Sequence, residues 1–372
     1  MRRTGPGGFA LFRVLPLLAF AVIALLTSVG RASLYQPEDP IVIPVASDGT
    51  GRDIPFDDFE KRFTTRVLEL NPVFKDSKGE NKAREVVLKR IAERRRALNR
   101  SSLENAALAA DLLRIGKPDD AESVLASDRR GYLPNVTLAH ACAAKGEWAK
   151  AAEYLSIANE ERPPTELKGW SKAQLDWELK LDRGPLTRLF EARALEARTK
   201  IVPENEDLDA IFPVKFVNEA GKYEPGKFTG QLPPDAIAVV QQILLWSPID
   251  TRLYWLLGEL YAAQGKFADA KKIMDQCVSE ARQYGNRKIL MDHRTAVRAV
   301  ADAEARRNPD MDVTVMPPGV EPAADDAKPQ PDKSVPFDLG AVWVYFGIVA
   351  VVVVLAVVRA LTRPKGRRGF RR

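Results

Sequence analysis

Apolar side chains recur at intervals of three and four residues along most of the chain from residue 58 to residue 307. Phe59, Phe63 and Val67 are one example, and such spacing places apolar side chains on one face of an α-helix. One stretch, residues 203–234, breaks the period, and its prolines and short apolar runs predict a small β-hairpin or ordered loop. The pattern therefore predicts an all-α domain over residues 58–307 that carries this insertion.

Two longer apolar runs lie near the ends of the chain. Residues 339–361 lack charge until Arg359, and a helix of about 23 residues measures roughly 34 Å, enough to cross a bilayer. We therefore predict a C-terminal transmembrane helix there. The first run follows Arg2 and Arg3, and residues 1–32 have the layout of a signal peptide or of a retained signal anchor. The sequence leaves both alternatives open.

The charges beside these runs predict how the chain is oriented. The tail at residues 362–372 is rich in arginine, and positive residues that flank a membrane helix stay on the cytoplasmic side. Residues 33–338 are then expected outside the membrane, which favours a bacterial inner-membrane protein with a periplasmic domain. Much of the net charge of +6 resides in the tail, and an exported chain is not expected to bind nucleic acid.

Two segments of different composition flank the helical domain. Residues 33–57 are rich in proline, aspartate and glycine, which predicts a mostly extended leader. Residues 308–338 combine many prolines with acidic and small residues, which predicts a disordered linker before the membrane helix.

The most regular helical pattern runs from Pro248 to Cys277. Its spaced positions are Tyr254, Leu257, Gly258, Tyr261, Gly265, Phe267 and Ala270. Gly258 would let a second helix approach the first closely, and Gly265 would end the turn between them. This spacing resembles the tetratricopeptide repeat family, whose unit is a helix–turn–helix pair.

Two weaker units precede this one. They extend from Leu108 to Leu125 and from Leu138 to Pro163, with turn glycines at Gly116 and Gly146. These glycines are 30 residues apart, fewer than the family period of about 34. A tight connection or a truncated second helix is therefore expected in the first unit.

The resemblance implies a concave surface, lined by the first helix of each unit, that binds a protein or peptide. The family's ligand-facing positions correspond to Arg252, Trp255 and Glu259 in the strongest unit and to His140 in the unit before it. A partly exposed surface residue without a ligand is the alternative for the isolated His140. The lysine and asparagine residues of the family's carboxylate clamp are missing at these positions. Binding of a peptide through its C-terminal carboxylate is therefore not expected.

A second segment with a marked pattern is the predicted helix from Glu80 to Leu98, which is rich in lysine and arginine. Its basic residues alternate with glutamates, which is typical of a solvated helix face. A surface for anionic lipid headgroups or for an acidic partner is the alternative.

Catalytic chemistry is not indicated. His140 and His293 are the only histidines, and neither belongs to a spacing typical of metal ligands. Cys142 and Cys277 fall on packing positions, which predicts buried thiols. We expect no enzymatic activity, no catalytic residue, no metal and no cofactor.

These features favour a membrane-anchored scaffold for protein–protein interaction on the extracytoplasmic side. The alternative is a structural spacer or oligomer-forming subunit in which the insertion at 203–234 covers the concave face. The accessibility of Arg252 and Trp255 separates the two hypotheses. The sequence identifies neither the partner nor the oligomeric state.

Overall fold

The computed structural model describes residues 36–38, 42–73, 80–126, 129–200, 208–209, 211–279 and 284–307. The predicted signal segment at 1–32, the linker at 308–338, the transmembrane helix at 339–361 and the basic tail lie outside the described residues. Among the helices that are described, none combines the length and the apolar composition needed to cross a bilayer.

The described residues form twelve α-helices and no β-strand, which confirms the all-α class. In chain order the helices are α1 (Phe56–Leu70), α2 (Lys82–Arg96), α3 (Ser102–Arg114), α4 (Pro118–Leu125), α5 (Tyr132–Ala144), α6 (Trp148–Glu160), α7 (Lys172–Leu181), α8 (Thr187–Thr199), α9 (Ala236–Trp246), α10 (Thr251–Ala263), α11 (Phe267–Ser279) and α12 (Arg287–Arg307).

Three pairs of successive helices, α3 with α4, α5 with α6 and α10 with α11, give the fold its repeat-like character. Two residues after the first helix of each pair comes a glycine with φ between 73° and 75°, namely Gly116, Gly146 and Gly265. In each case the amide after the glycine donates a 2.9 Å hydrogen bond to the carbonyl five residues earlier. This left-handed cap reverses the chain without leaving the last carbonyls of the helix unsatisfied. α4, with 8 residues, is the truncated helix expected in the first unit.

α7 and α8 follow one another without a reversing turn. Gly184 and Pro185 do not reverse the chain; they belong to a π-helical turn, Asp182–Leu186, that joins α7 directly to α8. Pro185 lacks the N–H that a regular α-helical turn would use, and a π-turn accommodates this loss.

The extended leader packs into the core of the domain. The amide of Ile43 donates to the side-chain oxygen of Gln242 at 2.8 Å, and the amide of Ile54 donates to that of Gln241 at the same distance. Gln241 also donates to the carbonyl of Ile54 at 2.7 Å. The two buried glutamines of α9 therefore take the place that a neighbouring strand would have in satisfying this backbone.

Helix α1 packs against α10 and forms a hydrogen bond with α11. Phe63 stacks on Tyr254 with ring centres 5.1 Å apart, and Phe56 meets the edge of Tyr261 at 6.1 Å. Lys266 pairs with Asp53 of the leader at 2.7 Å. The leader and α1 thus share one hydrophobic core with helices about 200 residues later in the chain.

The described part of the insertion, residues 208–209 and 211–234, is an ordered loop. It contains a turn at residues 219–220, a single bridge between Val217 and Tyr223, and the 3₁₀-helix Pro225–Gln231, which packs on α10. The predicted β-hairpin is therefore reduced, within the described residues, to one bridge.

Candidate functional site

Helix α10 carries three of the four residues that the sequence assigned to partner binding. Its N-terminus is capped by the Asp250 side chain, which accepts a 3.2 Å hydrogen bond from the amide of Leu253. Gly258 faces α11, where an added Cβ would lie 3.2 Å from a methyl carbon of Ile273. The close approach of the two helices at Gly258 is therefore as expected, and it fixes which face of α10 points away from α11.

That other face carries Glu259, whose side chain is completely buried. Its carboxylate accepts a 2.7 Å hydrogen bond from the indole nitrogen of Trp255 and a 2.6 Å hydrogen bond from the hydroxyl of Tyr223. The Nδ1 atom of His293 lies 2.7 Å from the same carboxylate. A buried carboxylate is stable only with such partners, and here they come from α10, the insertion and α12.

The insertion covers this face of α10. The ring of Tyr223 stacks on the ring of His293 with centres 4.0 Å apart. This stacking holds the Tyr223 side chain in the orientation in which its hydroxyl reaches Glu259. Further along, the hydroxyl of Thr229 donates a 2.6 Å hydrogen bond to the carbonyl of Ala263 at the end of α10. In this structure Trp255 and Glu259 are therefore buried beneath the insertion and do not line an open groove. Their contact with a partner stays a prediction.

Arg252 is the most accessible of the predicted site residues, with 23% of its side chain exposed. It forms an ion pair with Glu196 of α8, with N–O distances of 2.7 and 3.1 Å, and a second one with Asp209 at 3.3 Å. Burial disfavours the charged guanidinium, but Glu196 and Asp209 outweigh it and raise the pKa of Arg252. This residue therefore ties α10 to α8, and its charge is already used within the domain.

Arg193 is the centre of the same network, although the repeat pattern does not indicate it as a site residue. It is buried and binds Asp209 at 2.9 Å and 2.5 Å and Asp250 at 2.6 Å, while its guanidinium lies 4.8 Å from the centre of the Trp148 ring. An arginine on the buried stripe of a helix is the signal that could have revealed it, since a buried guanidinium requires carboxylates nearby.

His140 is on α5 and is also buried, with 1% of its surface exposed. Its ring meets the edges of Phe190 on α8 and Trp246 on α9, with centres 5.7 and 5.9 Å apart. Side chains of α8 and α9 fill the space beside the ring, so His140 is a packing residue in this structure. Its contact with a partner stays a prediction.

The basic helix α2 uses most of its arginines within the domain. Arg90 and Arg94 both bind the buried Asp111 of α3, at 2.8 and 3.0 Å. Arg84 donates hydrogen bonds to the carbonyls of Leu70 and Ile115. Three of the five arginines of α2 are therefore committed to contacts within the domain, which favours a structural role for these three.

Comparisons with models of known protein families, with curated proteins and with solved structures find no match to this chain. Its function is therefore inferred from its own residues. The described residues contain no group of three or more histidine, cysteine or acidic side chains placed to hold a metal ion.

Proposed function

We propose that this chain is a membrane-anchored protein of the tetratricopeptide type. Support comes from the three helix pairs, each with the same glycine cap, and from Gly258, which allows the close helix contact that the family pattern requires. The apolar segment at 339–361 would anchor it, with the helical domain in the periplasm of a bacterium.

We further propose that the domain acts as a structural subunit of a membrane-associated protein assembly and takes no free peptide in its concave face. One observation carries this proposal: the hydroxyl of Tyr223 reaches Glu259 from the insertion and closes the face that a peptide would use. With that face covered, the domain would contact its partners through the outer surfaces of its helices.

A photo-crosslinking residue placed at single positions of the full chain in native membranes tests the proposal. We expect adducts with other protein chains from the outer positions Leu103 and Val300, which are 37% and 40% exposed. We expect none from Trp255, which is completely buried on the covered face of α10. Adducts that form at Trp255 and at neither outer position would overturn the structural role.

A peptide-binding scaffold is the second candidate, and the contacts of Trp255 and Glu259 favour it. Both residues occupy positions to which the family resemblance assigns ligand contact, and both face a peptide segment, although that segment belongs to the same chain. A partner that displaced the insertion would have to replace the hydroxyl of Tyr223, because Glu259 would otherwise lose a donor. A tyrosine-containing peptide fits this requirement. Binding of a tyrosine-containing peptide to the Tyr223→Ala variant, and not to the unaltered chain, would identify this function.

A further inference from the structure

The outer face of α6 and α8 carries a shallow groove of about 490 Å³ that no other described element fills. Its floor consists of small side chains, Ala149 and Ala152 of α6 with Ala194 and Ala197 of α8. Leu195 stands at its edge with 51% of its surface exposed. One surface therefore presents both a protruding leucine and a shallow apolar groove.

Two opposite charges flank this leucine on α8. Glu191 and Arg198 are both exposed and line the groove, and they are seven residues apart on one face of the helix. Seven residues correspond to about two turns, or roughly 10 Å along the axis. Within the described part of the chain, neither side chain has an ion-pair or hydrogen-bond partner, in contrast to Arg193 and Glu196 on the same helix.

The order of these residues is self-complementary. If a second copy of α8 lies antiparallel to the first around a two-fold axis midway between Glu191 and Arg198, each glutamate lies opposite the arginine of the other copy. The axis then passes beside Ala194 and Leu195, so that each leucine can enter the alanine groove of the other copy. A two-fold interface requires that one surface carry both complementary features, and this surface does.

We propose that the α6–α8 surface, defined by Ala149, Ala152, Glu191, Ala194, Leu195 and Arg198, is the interface through which two copies of this chain associate. The inference rests on the proposed role as an assembly subunit and identifies one partner as a second copy. Small floor residues let two helices approach to the 8–10 Å typical of close packing, and the paired charges set the antiparallel orientation.

Charge exchange in the full chain, purified in detergent and measured by analytical ultracentrifugation, tests the orientation. Glu191→Arg alone or Arg198→Glu alone places like charges opposite each other twice, so each should raise the dimer dissociation constant about tenfold or more. The double variant Glu191→Arg with Arg198→Glu should restore it. Lys89→Glu, which reverses an exposed charge on α2, is the matched control and should leave it unchanged.

Cysteine crosslinking tests the position of the axis. The natural thiols, Cys142 and Cys277, are buried, so an introduced cysteine at the surface dominates the reaction. Ala194→Cys should give a disulfide-linked dimer under mild oxidation, because the two copies of residue 194 lie beside the axis. Leu98→Cys, at a position that is 97% exposed, should give none.

The outcomes separate this inference from the proposed function. A monomeric chain, or a dimer that ignores the charge exchange and does not crosslink at residue 194, overturns the α6–α8 interface. Photo-crosslinks from Leu103 and Val300 to other proteins would still support an assembly subunit in that case. A photo-crosslink from Leu195 to a different protein, with no dimer, would show that a partner helix occupies this surface and would also overturn the inference.

Discussion

The hydroxyl of Tyr223 donates a 2.6 Å hydrogen bond to the buried carboxylate of Glu259, 36 residues later in the chain. This contact joins the insertion to the helix whose pattern most resembles a tetratricopeptide repeat. It also covers the side of that helix to which the family resemblance assigns ligand contact. The stability of the domain should therefore depend on this single hydroxyl.

Tyr223→Phe removes the hydroxyl and keeps the ring on His293. We expect the free energy of unfolding to fall by about 1–3 kcal/mol, because a buried carboxylate loses one of its donors. Urea unfolding of the purified chain, followed by circular dichroism, measures the change. Tyr154→Phe is the control, since that hydroxyl accepts a bond from the exposed Arg129 and should matter little. Equal midpoints for the two variants would contradict the prediction.

Gly51→Ala tests whether the leader belongs to the core. A Cβ at Gly51 would lie 2.5 Å from the ring of Trp177, whose side chain is completely buried and cannot move aside. We expect a loss of about 1–3 kcal/mol in the free energy of unfolding, the usual result of overpacking. Gly226→Ala, where no atom lies within 4 Å, serves as the control and should be close to neutral. An unchanged unfolding midpoint for Gly51→Ala would show that the leader detaches at little cost.

Arg193→Met tests the buried ion-pair network. The substitution keeps an unbranched apolar side chain but leaves Asp209 and Asp250 without their shared cation, which should cost about 3–5 kcal/mol. The exposed pair of Lys172 and Asp176 on α7 offers a comparison, because Lys172→Ala should cost less than about 0.5 kcal/mol. Thermal unfolding of both variants in the same buffer measures the difference. Similar losses would mean that Asp209 and Asp250 are solvated when Arg193 is absent.

The sequence predicts the features of this fold that depend on residues close together in the chain. The spacing of Tyr254, Leu257 and Tyr261 predicts a buried helix face, and the turn glycines Gly116, Gly146 and Gly265 mark helix ends because a left-handed backbone favours glycine. Both signals need only one or two turns of helix. They are therefore readable without knowing the rest of the structure.

The same reasoning cannot predict which distant segment covers a given helix face. Glu259 faces the side of α10 that the repeat pattern assigns to a ligand, but the pattern contains no information about Tyr223 or His293. The contact of Gln242 with Ile43 spans 199 residues and leaves no periodic signal in either segment. The alternative hypothesis named the insertion at 203–234 as a possible cover for this face, but the local pattern of α10 could not indicate that Tyr223 is the residue that reaches Glu259.

One further buried group should respond to pH. Asp182 lies in the π-turn between α7 and α8, is completely buried, and accepts a hydrogen bond from the hydroxyl of Tyr132 on α5. Burial raises the pKa of Asp182 to about 7, although the hydroxyl of Tyr132 and the positive charge of Arg183 oppose this rise. The folded chain therefore binds a proton at this carboxyl more tightly than the unfolded chain does.

The sign of the resulting pH dependence follows from that difference. Between about pH 4 and pH 7 the folded state holds more protons at Asp182 than the unfolded state, so this group makes the domain less stable as the pH rises through that window. Asp182→Asn is neutral at every pH and its carbonyl can still accept the hydroxyl of Tyr132. We expect this variant to match the unaltered chain near pH 4 and to exceed it by up to a few kcal/mol at pH 8. Urea unfolding across this range measures the difference, with the exposed Asp292→Asn as control. A difference between Asp182→Asn and the unaltered chain that does not grow with pH would show that the buried carboxyl is not the group responsible.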